Sequence, residues 1–251
     1  MRLSRNFNVL FLLVATIFLS HNSASQASDF TTIQEPRRAE VLFLGHPSEH
    51  HNSRLYAPWL ATALFESGIN VTYTEKLEDL TEENLAKYDG LVIYANYDVL
   101  SKEQESAMKG FVESGKGLIP LHSAAGSFKN SDWYIETIGG QFASHGEGEF
   151  TSKIVAPNHP VMKGLKPFET WDETYVHQRT NPDMIVLMER VEGDYREPYT
   201  WVRNVGKGRV FYTAYGHDEK TWKNEGFLAL VKNGIFWAMG DQVTADVTAL
   251  N

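Results

Sequence analysis

"GLIPLHSAAG", residues 117–126, is an apolar run that stops abruptly at a histidine. Leu118–Leu121 has the length and composition of a strand buried on both faces, and small residues take over after His122, where a loop begins. Two other apolar runs end in the same way, "VLFLGH" (41–46) and "RVFYTAYGH" (209–217). Outward from 117–126, strand and helix patterns alternate. Glu40–Gly45 predicts a buried strand. Arg54–Glu66 predicts a helix, with Leu55, Trp59, Ala63 and Phe65 on or near one face and Gly68 as its stop. Val71–Thr74 and Gly90–Ala95 predict the next strands, and "TEENL" (81–85) a short helix start. "SKEQ" (101–104) predicts a capping box, with Ser101 capping a helix and Gln104 reaching back. That helix runs to Glu113 or Ser114 and ends near Gly115. A βαβαβ order of this kind implies a parallel sheet covered by helices on both faces, an α/β fold.

The second half carries a different pattern. Phe150–Val155, Glu169–Tyr175, Met184–Glu189 and Thr200–Asn204 predict strands with few helices between them. "NVGKGRV" (204–210) predicts the turn of a hairpin leading into Arg209–Tyr215, so antiparallel strands are added in the C-terminal half. Glu225–Met239 predicts an amphipathic helix built on Phe227, Leu230, Val231, Ile235 and Ala238. The expected organisation is a polar linker over 28–38, one α/β domain over 39–241 and a tail over 242–251.

Composition narrows the classes. Of 251 residues, 42% are hydrophobic, enough for a substantial core. The formal charge of −9 comes without a basic stripe, which argues against a nucleic-acid partner. There is no cysteine, so thiolate catalysis, Cys-ligated zinc and iron–sulfur clusters are excluded, and any metal must be held by His, Asp or Glu. Arg2 and Arg5, an apolar core at Val9–Leu19 and the small residues of Ser25-Gln26-Ala27 predict a secretory signal over 1–27, cleaved after Ala27. The alternative is an uncleaved anchor, but the apolar core falls short of the ~20 residues a bilayer needs. Removal of 1–27, which holds two Arg and no acidic residue, would take the charge from −9 to −11. The expected location is periplasmic or extracellular, with no membrane span after signal removal.

In open parallel sheets, ligands bind beyond the carboxyl ends of the strands. His46, His122 and His217 each follow an apolar strand and are expected to meet on one rim; the bland alternative for any one of them is a hydrogen-bonded loop residue. Neutral imidazole serves as a metal ligand or as a general base. "WDETYVH" (171–177) supplies Asp172 and Glu173, with His177 on the same strand face as Glu173, unless this is only a solvated acidic edge. Asp218, beside His217, either orients an imidazole or caps the next helix. His50 and His51 share the loop "PSEHHNS" with Glu49. "GGQFASHGEGEF" (139–150) contains His145 but lacks phosphate-loop spacing. His159, in "NHPVMKG", is expected to serve a turn. Trp133, Tyr134, Trp171 and Tyr175 either stack on a sugar ring or pack in the core. Ser123 follows His122, but "LHSAAG" is not G-x-S-x-G, so the nucleophile elbow of a serine hydrolase is missing.

Taken in order, "LHSAAG", "GGQF" with His145 three residues on, "HPV", "DETY", "GHD" and the final "GIFWA" resemble the trehalose-utilisation (ThuA-like) family over Val41 to Gly240. The resemblance implies a flavodoxin or class I glutamine-amidotransferase-like three-layer fold. In amidotransferases proper the sharp turn after a central strand carries a cysteine; here that turn carries His122, so glutaminase chemistry is unavailable. The resemblance also implies a small carbohydrate substrate, a trehalose-like disaccharide or a 3-keto-glycoside, and carries over His122, Glu173 and His217 as site residues, with His46 and His51 behind them. On this reading zinc or a similar divalent ion is held by His122, Glu173 and His217. The catalytic candidates are His51, His177 and Asp218, and the substrate-binding candidates are His46, Trp133, His145 and Tyr175. The reaction is a lyase or hydrolase cleavage. The alternative is a non-catalytic carbohydrate-binding or complex-forming protein on the same scaffold, and an oligomer is compatible with either.

Overall fold

A computed structural model describes residues 36–250. The proposed signal segment, 1–27, lies outside them. Strand β1 (Ala39–Gly45), helix α1 (Ser53–Phe65), β2 (Ile69–Thr74), the one-turn α2 (Glu82–Leu85), β3 (Gly90–Tyr94), α3 (Lys102–Glu113) and β4 (Gly117–Pro120) form the alternating half. The capping box before α3 is present in full, with Ser101 accepting from the Gln104 amide and Gln104 from the Ser101 amide. After a short 3-10 turn at His122–Gly126 come α4 (Asp132–Ile138), β5 (Gln141–Thr151), β6 (Lys153–Ile154), β7 (Glu169–Gln178), β8 (Ile185–Glu192), β9 (Tyr195–Val205) and β10 (Gly208–Thr213). Helices α5 (Glu219–Trp222), α6 (Glu225–Met239) and α7 (Asp241–Thr248) close the chain.

The main sheet runs β2-β1-β3-β4-β10-β9-β8-β6. Strands β2, β1, β3, β4 and β10 are mutually parallel, and beyond them each strand runs antiparallel to its neighbour, β9 to β10, β8 to β9 and β6 to β8. Helices cover both faces. Gly208 and Phe211 of β10 are three residues apart and so point to opposite sides. A Cβ at Gly208 would run into the Val112 carbonyl of α3, while the Phe211 ring packs under Gly234 of α6. Among the described residues, no helix is long and apolar enough to cross a membrane.

Two expectations need correction, and one strand has no counterpart in the sequence reading. Residues 141–151 of the glycine-rich segment, to which the sequence assigned no element, form an eleven-residue strand that pairs antiparallel with β7 in a separate two-stranded sheet. The strand expected at 150–155 is split between the end of β5 and the two residues of β6. Pairing with β7 supplies the backbone bonds whatever the side-chain propensity, so composition misleads here. The tail expected over 242–251 holds most of α7, docked through buried Val247.

The linker expected over 28–38 ends in an anchor. Arg37 donates two hydrogen bonds to Asp89, at 2.7 and 2.8 Å, and Lys116 donates one at 3.1 Å. The Glu40 amide adds a fourth, at 3.0 Å, so Asp89 ties the starts of β1, β3 and β4 together. Burial alone would raise this carboxyl, but Arg37, the Glu40 amide and Lys116 outweigh it and bring it down to about 2. Asp89→Asn is expected to cost about 2 kcal/mol, since hydrogen bonds to a charged group are worth about 1.5–3 kcal/mol and Arg37 and Lys116 are partly solvated. Because the folded-state carboxyl is depressed, its contribution is complete above the unfolded value of about 4 and is lost as pH falls from there toward 2. Urea midpoints of wild type and variant should therefore converge across that window.

Candidate functional site

The carboxyl ends of β1, β3, β4 and β10 converge, as parallel strands must, and the short loops after them carry the site. His122 directly follows β4 and Leu121. Its backbone lies in the left-handed region, φ 46°, which is uncommon for a residue with a side chain. Its Nδ1 is 2.7 Å from the Ala214 carbonyl. A carbonyl can only accept, so Nδ1 carries a proton and Nε2 is the nitrogen turned toward the cluster, with the ring itself wholly buried. His51 is held in the loop after β1: the Ser48 hydroxyl accepts its amide at 3.0 Å, and its carbonyl takes the amides of Ser48 and Ser53. Asn52 then caps α1. His217 follows Gly216, whose carbonyl accepts from the Tyr94 hydroxyl and the Trp222 indole, both at 2.7 Å. A Cβ at Gly216 would sit 3.1 Å from that of His122, on a backbone at φ 135°, so this close approach requires glycine.

The fourth member arrives from the small sheet. Glu173 of β7 places Oε2 3.3 Å from His122 Nε2 and Oε1 3.1 Å from His217 Nδ1. One donor atom from each of His51, His122, Glu173 and His217 lies within 4.8 Å of all the others. His51 Nε2, His122 Nε2 and His217 Nδ1 are buried and have no hydrogen-bond partner among the described residues. Burial, then the neighbouring His122 and His217, push the His51 imidazole down to about 2. Burial, with His122, lowers His217 as well. Burial by itself would raise Glu173, but the three surrounding histidines 122, 217 and 145 prevail and bring it down to about 2. The cluster sets the Glu173 carboxylate among three imidazoles whose inward nitrogens find no hydrogen-bond partner among the described residues. Three His and one carboxylate match the ligand chemistry of zinc and similar divalent ions, and three orphaned buried nitrogens aimed at one point fit such an ion.

A cleft of about 440 Å³ opens over the cluster, lined by His50, Asn96, Ser123, Lys129, Phe142, His145, Glu147 and Tyr175 as well as cluster residues. Tyr175 stacks on His122 with ring centroids 4.3 Å apart, and Phe142 lies 4.6 Å from Tyr175. His145 is exposed at the rim, 3.5 Å from Glu173.

Of the residues expected from sequence, His122, Glu173 and His217 come together, with His145 and Tyr175 in the cleft. His51 joins the same cluster, one of its ring nitrogens within 4.8 Å of a donor atom of each of the other three. His177 shares the face of Glu173 and Tyr175, but lies four residues, about 13 Å, along the strand from Glu173. There its Nδ1 meets Glu197 at 2.9 Å and its Nε2 meets the Tyr212 hydroxyl at 3.0 Å, so both nitrogens are used and it is no base for the cleft. Asp218 caps α5 through the Lys220 amide. His46 stacks on Tyr97 at 4.2 Å, outside the cluster. Trp133 packs against the core on α4 and does not line the cleft. His159 caps a turn as expected, accepting from the Val161 amide. Asn96 was legible by the same carboxyl-end rule as the histidines, since it follows the strand expected at 90–95. Phe142 and Glu147 had no such signal, because β5 itself was hidden.

A sequence profile described as "Trehalose utilisation" (ThuA) matches residues 40–238. Among solved structures, the chain is similar to a thua-like protein from Parabacteroides merdae, at 19% identity and a TM-score of 0.70, covering 81% of this chain and 90% of that one. A thua-like protein from Bacteroides uniformis gives 20% identity and 0.69, with 81% and 91% covered. A protein from Thermoplasma acidophilum, described as one of the GMP synthase subunits, gives 11% and 0.56, with 85% and 98% covered. The fold is thus the three-layer α/β fold shared by ThuA-like proteins and the amidotransferase-like group. None of the curated proteins compared with the chain is significantly similar to it.

Proposed function

We propose that this chain, which belongs to the trehalose-utilisation (ThuA) family, is an exported, metal-assisted enzyme that cleaves a 3-keto-glycoside or trehalose-like disaccharide by a lyase or hydrolase reaction. Family membership supports the carbohydrate-related role. One observation supports the metal-assisted chemistry: four donors within 4.8 Å, three of them buried imidazole nitrogens without hydrogen-bond partners among the described residues, beneath an open cleft. His51, His122, His217 and Glu173 would hold a divalent ion, zinc or similar. Such an ion, when bound, supplies Lewis-acid polarisation of a sugar carbonyl or hydroxyl.

The chain's own residues do the remainder. Tyr175 and Phe142 form a wall for the apolar face of a sugar ring, and Asn96, Ser123 and Lys129 are placed to hydrogen-bond its hydroxyls. His145, at the rim, takes the proton from C2 of a 3-keto sugar. The C2–H electron pair forms the C1=C2 double bond, the glycosidic C1–O bond breaks with its electron pair going to the leaving oxygen, and that oxygen takes the proton held on His145. Export rests on the basic, apolar and small-residue pattern of residues 1–27.

The test uses protein starting at Ser28, metal analysis, and a panel of glycosides with their 3-keto derivatives. The expected result is about one equivalent of bound divalent metal and turnover of a keto-glycoside that stops on chelation and returns with zinc. Protein that takes up no metal and whose turnover ignores chelators would overturn the proposal. Sugar binding without turnover, indifferent to metal, would favour the non-catalytic carbohydrate binder.

A further inference from the structure

Asp172 is a buried carboxylate that belongs to no ion pair among the described residues, and no part of the proposed reaction uses it. It has no solvent exposure, yet it sits beside Glu173 on β7 with its side chain on the other face of the two-stranded sheet. Its Oδ1 accepts the Glu173 amide at 2.8 Å and the His217 amide at 2.9 Å, and its Oδ2 accepts the Gly216 amide at 2.8 Å. Three backbone donors from two distant segments thus meet on one side chain. Two of the three are the amides of cluster residues themselves.

We infer that Asp172 is the positioning residue that registers the small sheet against the loop after β10, and so brings Glu173 and His217 into one ligand set. The inference rests on the metal-site reading only for its affinity readout. Glu173 lies on the two-stranded sheet and His217 in the loop after β10 of the main sheet, so main-sheet pairing does not determine their separation. Asp172 crosses that gap. From the other side, Tyr94 and Trp222 hold the Gly216 carbonyl, so the peptide bearing His217 is clamped at both its donor and its acceptor ends. A carboxylate is required because all three partners donate. In an asparagine, whichever way the amide is turned, an NH2 group faces at least one of those N–H groups.

Asp172→Asn separates positioning from mere stability. Cobalt(II) titration of the full mature chain is expected to show a 10–100-fold loss of affinity and a changed d–d spectrum, the usual cost of losing a group that orients a ligand. Asp89→Asn, at the opposite end of the sheet, is expected to lower stability while leaving cobalt affinity and spectrum as in wild type. Imidazole nitrogen shifts of His51 and His217, measured by NMR without metal, should move in Asp172→Asn and stay in Asp89→Asn. If folded Asp172→Asn keeps wild-type imidazole shifts, the positioning role is overturned, whether or not the wild type binds cobalt. If wild type binds no cobalt but the shifts move, the metal reading falls and the positioning role stands.

Discussion

On the proposed metal reading, replacing His122 by asparagine is expected to weaken zinc binding by about two to three orders of magnitude, because it would remove one of the four donors proposed to hold the ion, and full ligation of zinc is worth about 10–16 kcal/mol in zinc-finger peptides. Asparagine is the informative choice. His122 has φ 46°, a left-handed backbone that asparagine tolerates better than alanine, so the turn after β4 is kept while Nε2 is lost. The effect should exceed that of the Asp172 variant, since His122 would ligate directly through Nε2, with Nδ1 held by the Ala214 carbonyl. Competition against a chromophoric chelator measures the loss, and thermal melts establish that the folded protein is being compared. An unchanged affinity would remove His122 from the ligand set. Turnover of any keto-glycoside substrate should fall with it, at saturating sugar and at wild-type zinc concentrations.

The second large effect concerns stability. Trp201→Ala is expected to cost about 3–5 kcal/mol, the usual range for deleting a fully buried Trp side chain. The Trp201 ring, on β9, lies 4.2 Å from Tyr212 and 5.0 Å edge-on to His177, and its Nε1 donates to the Ile138 carbonyl at 2.8 Å. Its removal leaves a cavity and an unsatisfied carbonyl at the end of α4. Tyr212, which donates to the His122 carbonyl at 3.3 Å, would lose the ring that packs beside it, so some loss of zinc affinity should accompany the fall in the urea midpoint. A destabilisation below about 1 kcal/mol would mean that the site collapses around the gap far better than buried tryptophan sites normally do.

How much of this was legible can be traced residue by residue. The strands before His46, His122 and His217 were plain, because buried parallel strands need continuous apolar runs and those runs are visible in one dimension. The capping box at Ser101 and the helix over Glu225–Met239 were equally plain, since both depend on contacts within a few residues. Two of the three post-strand histidines entered the cluster, and the third, His46, turned to Tyr97 instead. His51 was harder to place. Its loop position says nothing of a ring that folds back over His122, an outcome set by Ser48 and by the edge of Tyr94. Asp172 and Glu173 are neighbours of the same charge, and no pattern distinguishes them; opposite strand faces send one to backbone amides and the other to imidazoles.

By itself, the order of residues determined the α/β class, the central parallel strands, the absence of thiol chemistry and the end of the sheet where a site should lie. All of these follow from local periodicity and composition. Only the tertiary structure decided that β5 is a strand, that Glu173 comes to the cluster from a second sheet, that His51 completes the set and that His177 is spent on Glu197 and Tyr212. Each of those outcomes depends on partners distant in the chain, and the geometry that brings them within hydrogen-bonding reach exists only after the sheets have packed.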